Sequence, residues 1–247
     1  MSDLAADRVR PLLRGGFGEP YLYVVETTST QQLLSDTGLA EGAVAVAEHQ
    51  TAGRGRLGRR WNDAPGRALL CSVLLRPPSA AKAEQLSLVI GLAVAETIDE
   101  LAGVRTRLKW PNDVLLDGRK LAGILLARDG DAVICGIGVN VNQRDSELPR
   151  ETTLAPDSLR LATGHDHDRG ALLALLLDRL ERRYGLWQAG GLEPMAPELD
   201  ARDALRGRAV RVGEVKGTAD GIDPSGRLAI RLVSGERLLV SSGEVVT

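Results

Sequence analysis

Nine residues, Gly53-Arg54-Gly55-Arg56-Leu57-Gly58-Arg59-Arg60-Trp61, hold three glycines and four arginines. Glycine lets a backbone approach a ligand closely and adopt positive φ. Each arginine offers a planar, permanently charged fork that matches a carboxylate or a phosphate. With Gln50 just upstream, the loop suits a ligand carrying more than one anionic group. Taken alone, it also reads as a solvated basic surface loop or an RGG-like nucleic-acid segment. Gly53, Gly55 and Gly58 spell GxGxxG, but no strand–turn–helix unit frames it as dinucleotide binding requires, and no GK[ST] follows to make a P-loop.

Three further clusters carry polar chemistry. Lys109-Trp110-Pro111-Asn112-Asp113 closes a strand-like run, and Pro111 stiffens the exit. Asn112 offers an amide for a base or phosphate. Asp113 could hold Mg²⁺ or orient an amine, although Pro-Asn-Asp is also ordinary turn chemistry. In Arg119-Lys120-Leu121-Ala122-Gly123-Ile124-Leu125, Lys120 stands at the entrance of an apolar strand. Gly123 interrupts that strand, as glycines do where a ligand or another backbone comes close. Gly136-Ile137-Gly138-Val139-Asn140 is a strand of small residues ending in an amide. Finally, Thr28 with Gln31, or Ser29 with Gln32, makes a capping box opening a short helix from Ser29 to Thr37. Such a helix start is also a ready site for a polar ligand.

The elements that must position these groups can be read from periodicity. Strands are expected at Tyr21–Val25, Val44–Ala47, Leu69–Leu75, Arg105–Trp110, Leu121–Leu126 and Ala132–Val139. A helix spans Gln85 to Leu101, with Leu86, Val89, Ile90, Ala93, Val94, Ile98 and Leu101 on one stripe. A second runs from Arg169 to Trp187. Consecutive strands unseparated by helices argue for an α+β fold, a mixed sheet flanked by helices. After Leu205 the pattern changes to five short β-like pieces separated by turns, among them Asp223-Pro224-Ser225-Gly226. This predicts a main domain over residues 1–204 and a small β-barrel over 205–247.

Composition narrows the classes. The formal net charge is −2 and aromatics are 3%, so a nonspecific nucleic-acid binder is disfavoured and any anion site must be local. Cys71 and Cys135 sit in apolar runs as reduced, buried thiols, and His49, His165 and His167 lack zinc spacing. No segment reads as a signal peptide or a membrane helix, which predicts a cytoplasmic protein. Oligomeric state, monomer or homodimer, is left open.

Taken in order, TTSTQQ, EHQTAGRGRLGRRW, KWPNDVLL, GRKLAGIL and GIGVNVN resemble the biotin–protein ligase family over about residues 27–142. The tail after Leu205 resembles the family's SH3-like C-terminal domain. The resemblance implies a class II synthetase-like catalytic fold and a two-step reaction. Biotin and MgATP give biotinyl-5′-AMP and pyrophosphate. A lysine of a biotin carboxyl carrier domain of an acyl-CoA carboxylase then attacks, releasing AMP. It further implies that Ser29, Thr30 and Gln31 contact the ureido ring, and that Gln50 and Gly53–Arg56 bind and cover biotin. Arg54 and Arg56 would neutralise the carboxylate and α-phosphate, Lys120 would stabilise charge in the first step, and Gly123 would line the biotin slot. Trp61, Asn112 and Asn140 would hold the adenylate, with Asp113 the candidate for Mg²⁺ or the incoming lysine.

Two departures from the pattern stand out. The family usually has Ser-Thr-Asn where this chain has Ser29-Thr30-Gln31, so an extra methylene moves the amide. About 20 residues precede the catalytic fold, too few for the winged helix of the family's repressors, so no DNA binding is expected. A lipoate–protein ligase or octanoyl transferase of the same superfamily is the nearest alternative reading, and an RNA-binding module using Arg54–Arg60 a more distant one.

Overall fold

The computed structural model describes residues 2–35, 38–150 and 152–247. The large sheet holds β1 (Tyr21–Thr27), β2 (Val44–Gln50), β3 (Leu69–Leu75), β4 (Arg107–Lys109), β5 (Asp113–Leu116), β6 (Arg119–Asp129) and β7 (Ala132–Val139). Their spatial order is β1-β2-β3-β7-β6-β5-β4. Only β1 and β2 run parallel; the other neighbours are antiparallel, so the sheet is mixed.

The two faces of this sheet differ because side chains alternate along each strand. One face carries Val46, Leu69, Cys71, Val73, Ile124, Cys135 and Ile137, all in the main apolar core. Against it lie α2 (Leu86–Ala102) and α4 (Arg169–Gly190). Leu86, Val89, Ile90, Ala93 and Val94 of α2 meet Leu173, Leu176, Leu177, Leu180 and Tyr184 of α4 in that core. Each fully buried leucine, isoleucine or valine among them contributes about 1.5–3 kcal/mol. The predicted stripe of α2 fails only at its end, where Leu101 is 40% exposed. Leu88 and Leu92 are buried as well. Leu88 is covered by the turn containing Gly226.

The opposite face carries a small apolar cluster at one end, formed by Leu34, Ala43, Ala45, Leu74, Ala132 and Ile134. Toward the other end it presents glycines, and there the polar residues collect.

The remaining helices are short: α1 (Ala6–Val9), α3 (Leu159–Thr163) and α5 (Ala196–Arg202). The N-terminal segment, which carries no regular pattern, is fastened down. Arg169 opens α4 and binds both Asp3 and Glu48, and Tyr21 donates its hydroxyl to Leu4 O at 2.8 Å.

A second, antiparallel sheet contains β8 (Ala209–Val212), β9 (Val215–Ile222), β10 (Leu228–Arg231), β11 (Arg237–Val240) and β12 (Val245–Val246), in the order β11-β10-β9-β8-β12. It is not isolated from the first. Val210, Leu228 and Ile230 belong to the main core, and Trp110 Nε1 donates to Gly226 O at 2.9 Å. No helix among the described residues is long and apolar enough to cross a membrane.

One element differs from expectation. No helix starts at Ser29; residues 30–35 form turns, while Asp36 and Thr37 lie outside the described residues. The capping box is replaced by longer-range partners. Thr30 turns to Gln50 and Ser72, and Gln31 turns to the sheet. Thr28 donates to Gln32 Oε1 at 2.6 Å. These bonds hold the segment across the end of the sheet instead of winding it.

Candidate active site

The site is built on the glycine-bearing face. Gly123 of β6 pairs with Gly138 of β7, and Gly136 pairs with both Leu125 and Ser72. Directly opposed residues share a face, so Gly123, Gly136, Gly138 and Ser72 form a floor without bulky side chains. The floor is tight against what covers it. A Cβ at Gly138 would lie 2.6 Å from Trp61 Cε2, and one at Gly136 would lie 3.2 Å from the Gln31 amide.

A polar wall rises at one end. Ser29, Thr30 and Gln31 are each buried. Gln50 Oε1 accepts from Thr30 N at 2.9 Å and from its hydroxyl at 3.2 Å, and Thr30 Oγ1 lies 2.7 Å from Ser72 Oγ. Gln31 Nε2 donates to Leu125 O at 2.9 Å and Ile134 O at 3.0 Å. Its longer side chain therefore reaches across Gly136 to bridge β6 and β7. Both amide hydrogens are used, and Oε1 is the atom left for a ligand.

The arginine–glycine loop folds back on itself. Arg54 and Arg60 form a β-bridge, Gly55 N donates to Arg59 O at 2.7 Å, and Trp61 N donates to Gly53 O at 3.0 Å. Gly53 is required by close packing, since a Cβ there would be 2.6 Å from Trp61 O. It stands behind the slot, while Gln50, Arg54, Gly55, Arg56 and Trp61 line it. The fold-back lays the Trp61 indole over the glycine floor. The slot retains a volume of about 60 Å³, well below the ~300–1,000 Å³ of small-molecule pockets. The Trp61 Nε1–H is buried with no partner among the described residues, so the indole covers the floor without being anchored there.

At the far edge of the floor stands Lys120. Its Nζ is 2.6 Å from Asp113 Oδ1 and 5.7 Å from the centre of the Trp61 ring. The ion pair is close but not aligned as a hydrogen bond, and Asp113 Oδ1 remains a buried acceptor without a directed donor. Lys120 is held through its main chain: its N donates to Ala155 O at 2.8 Å and its O accepts from Asp157 N at 2.9 Å. Asn140 secures the same region. Its Nδ2 donates to Asp157 O at 2.9 Å, and its Oδ1 accepts from Gln143 at 3.0 Å. Asn112 similarly donates to Ile124 O at 3.0 Å and accepts from Arg56 Nη1 at 3.3 Å. Both asparagines, expected to face a ligand, spend most of their amide bonds on the framework.

Beyond Lys120 opens a second cavity of about 490 Å³. It lies between the loop, the β4–β5 turn, the segment after Pro149, and Gly243–Val245 of the small sheet. Five cationic side chains, Arg56, Arg59, Arg60, Lys109 and Lys120, line it against two carboxylates, Asp113 and Glu244. Arg59 pairs with Glu244, and Arg56 Nη1 donates to Gly243 O at 3.4 Å. Burial lowers the pKa of Arg56, and the field of Asp113 opposes that shift. The joined site is thus an apolar-floored slot opening into a cationic chamber. That shape suits a ligand with an uncharged part at one end and anionic groups toward Lys120 and the chamber.

The model of the biotin/lipoate A/B protein ligase family matches residues 21–142, and that of the biotin protein ligase C-terminal domain matches residues 207–247. The chain belongs to the biotin/lipoate protein ligase family. Among similar proteins, the biotin–[acetyl-CoA-carboxylase] ligase of Mycobacterium tuberculosis is 39% identical over 83% of this chain and 79% of its own length. The corresponding ligase of Paracoccus denitrificans is 36% identical over 87% of this chain and 94% of its own. The Aquifex aeolicus biotin protein ligase, solved with biotin and ATP, is 33% identical with a TM-score of 0.84 over 91% of this chain and 97% of that one. Within the family this is a ligase of the biotin type, forming biotinyl-AMP from biotin and ATP and transferring biotin to protein.

Sequence reading brought together Ser29, Thr30, Gln31, Gln50, Arg54, Gly55, Arg56, Trp61, Asn112, Lys120 and Gly123, which all line the slot. Asp113 and Asn140 line the chamber instead. It named the segments of Lys109, Gly136 and Gly138 without giving those residues a role, and it missed Ser72 and Glu244. Gly136 and Gly138 carried a signal, since glycines two apart in a strand clear one face. Glu244 carried none, because only tertiary folding brings the C-terminal sheet to Arg59.

Proposed function

We propose that the slot takes the biotin ring, that Lys120 meets its carboxylate, and that the cationic chamber takes ATP. The observation that carries this is the placement of Lys120 at the junction of an uncharged glycine floor and a chamber rich in cations. Ser29, Thr30, Gln50 and the Oε1 of Gln31 supply polar contacts for the ureido group. Arg54 and Arg56 offset repulsion between the carboxylate and the α-phosphate. In the first step a carboxylate oxygen bonds to the α-phosphorus while the bond to the bridging oxygen breaks, and pyrophosphate carries away the electron pair. In the second, a lysine amine attacks the acyl carbon, AMP leaves with the anhydride electrons, and the amine loses its proton.

Trp61 leaves the floor when the ring arrives and then borders the adenylate, shielding the mixed anhydride from water. Asn112 and Asn140 support this arrangement chiefly by holding Arg56 and the Lys120 backbone. Asp113 fits a magnesium–nucleotide complex as its single protein carboxylate: Mg²⁺ is commonly held by one or two carboxylates plus substrate phosphates, and Asp113 is one of the two carboxylates lining the chamber. Bound there, Mg²⁺ would offset phosphate charge.

The acceptor is a biotin carboxyl carrier domain, that of acetyl-CoA carboxylase being the target in the names of the similar ligases. ATP as substrate favours a cytoplasmic location. The division of the chain at residue 204/205 is supported by the start of the second sheet at Ala209.

The residue assignment is tested by Lys120→Ala. Biotin-dependent adenylate formation should fall by about 10²–10³-fold, the scale of losing a transition-state charge stabiliser. Adenylation at the wild-type rate would remove Lys120 from the chemistry.

A further inference from the structure

Lys109 ends β4 and is 8% exposed, yet it lines the cationic chamber. Its ammonium has no hydrogen bond or ion pair among the described residues. The carboxylates whose fields favour its charge, Asp113 and Glu244, are already paired with Lys120 and Arg59. Burial, the largest influence, works against that charge. A buried, uncommitted cation facing a cavity is costly unless an anion completes it.

Register defines where that anion would be. Lys109 pairs with Asp113, Asp113 with Gly123, and Gly123 with Gly138. These four residues lie on one transverse row and one face. Strands are about 4.8 Å apart, so Lys109 stands roughly 10 Å beyond the glycine floor at Gly123. Asp113, with Lys120 at its carboxylate, occupies the strand between. Along this row the carboxylate junction comes first and Lys109 lies farther out. The slot cations Arg54, Arg56 and Lys120 serve the junction, whereas Lys109 does not line the slot.

We propose that Lys109 binds the β- and γ-phosphates of ATP and the pyrophosphate they become. The proposal rests on the adenylation reading of the same site. When the carboxylate oxygen bonds to the α-phosphorus, the α–β bridging oxygen keeps the electron pair and the leaving pyrophosphate gains negative charge. A fixed ammonium there stabilises that charge as it develops. In the second step the leaving group is AMP, no pyrophosphate is present, and Lys109 has nothing to hold.

This asymmetry gives the test. Lys109→Met and Lys109→Arg are compared with the unaltered protein in three assays. These are adenylate formation, pyrophosphorolysis of preformed biotinyl-AMP, and transfer from preformed biotinyl-AMP to a carrier domain. For Lys109→Met, adenylation should slow and the KM for pyrophosphate should rise, by about 10²-fold in kcat/KM. Transfer should stay within about twofold, which also shows that the variant is folded, and Lys109→Arg should recover part of the loss. An unchanged pyrophosphate KM, or a loss in transfer equal to that in adenylation, overturns the assignment. The latter outcome would mark Lys109 as a contact for the carrier or a structural residue. If the unaltered protein forms no adenylate, the adenylation reading fails and this role with it. If it does and Lys109→Met matches it, the fault lies with Lys109 alone.

Discussion

Trp61 packs directly on Gly138, so closely that a Cβ at that glycine would lie 2.6 Å from the indole. Under the proposed function the indole and the substrate ring compete for this one surface. On that reading Trp61 is the side chain that leaves the floor, and it ends the loop that carries Arg54 and Arg56. Filling the slot and rearranging the cationic loop become one event.

Gly138→Ala adds a methyl group to this shared surface. Overpacking of this kind costs about 1–3 kcal/mol, which corresponds to roughly a 5–150-fold change in affinity. The KM for biotin should rise by that amount while the KM for ATP changes little. Biotin titration in a steady-state assay checks this; an unchanged KM would put the ring on a different surface.

Trp61 should report binding by its own fluorescence. The other two tryptophans are buried, with Trp110 Nε1 bonded to Gly226 O and Trp187 Nε1 to Gln85 Oε1. Trp61 alone has an unpartnered indole N–H among the described residues. Adding biotin should change emission in the unaltered protein and leave Trp61→Phe nearly silent. An equal change in both would mean that the indole stays on its floor.

Arg169 ties three distant segments together, through Asp3, Glu48 and Ala68 O. Both Arg169 and Glu48 are buried. Removing one partner of a buried ion pair costs about 3–5 kcal/mol, because the other is left uncompensated. For a chain of this length that lowers Tm by about 10 °C. Arg169→Met followed by thermal unfolding tests it. A drop of only a degree or two would show that solvent reaches Glu48.

Much of this was legible in the sequence because the relevant signals are local. The apolar run Leu69–Leu75, the stripe on α2 and the glycine–arginine loop each declare themselves within a few residues. The segment after Thr28 misled for the same reason. Its capping pattern is local, whereas the partners that win, Gln50, Ser72, Leu125 O and Ile134 O, come from four different strands. The role of Lys109 was hidden likewise, since only the β4–β5–β6 register sets it in line with Gly123. For Asn112 and Asn140 the sequence indicated the right neighbourhood. It could not show that their amides bind main chain, because that depends on where the carbonyls of Ile124 and Asp157 fall.

The central claim is that this site activates biotin and passes it to protein. The purified protein is incubated with ATP, magnesium and a biotin carboxyl carrier domain, with biotin in one reaction and lipoate in another, and the carrier is weighed by mass spectrometry. The account predicts one biotinyl adduct on a single lysine, abolished by omitting ATP, and no lipoyl adduct. Lipoyl transfer without biotinyl transfer would contradict it.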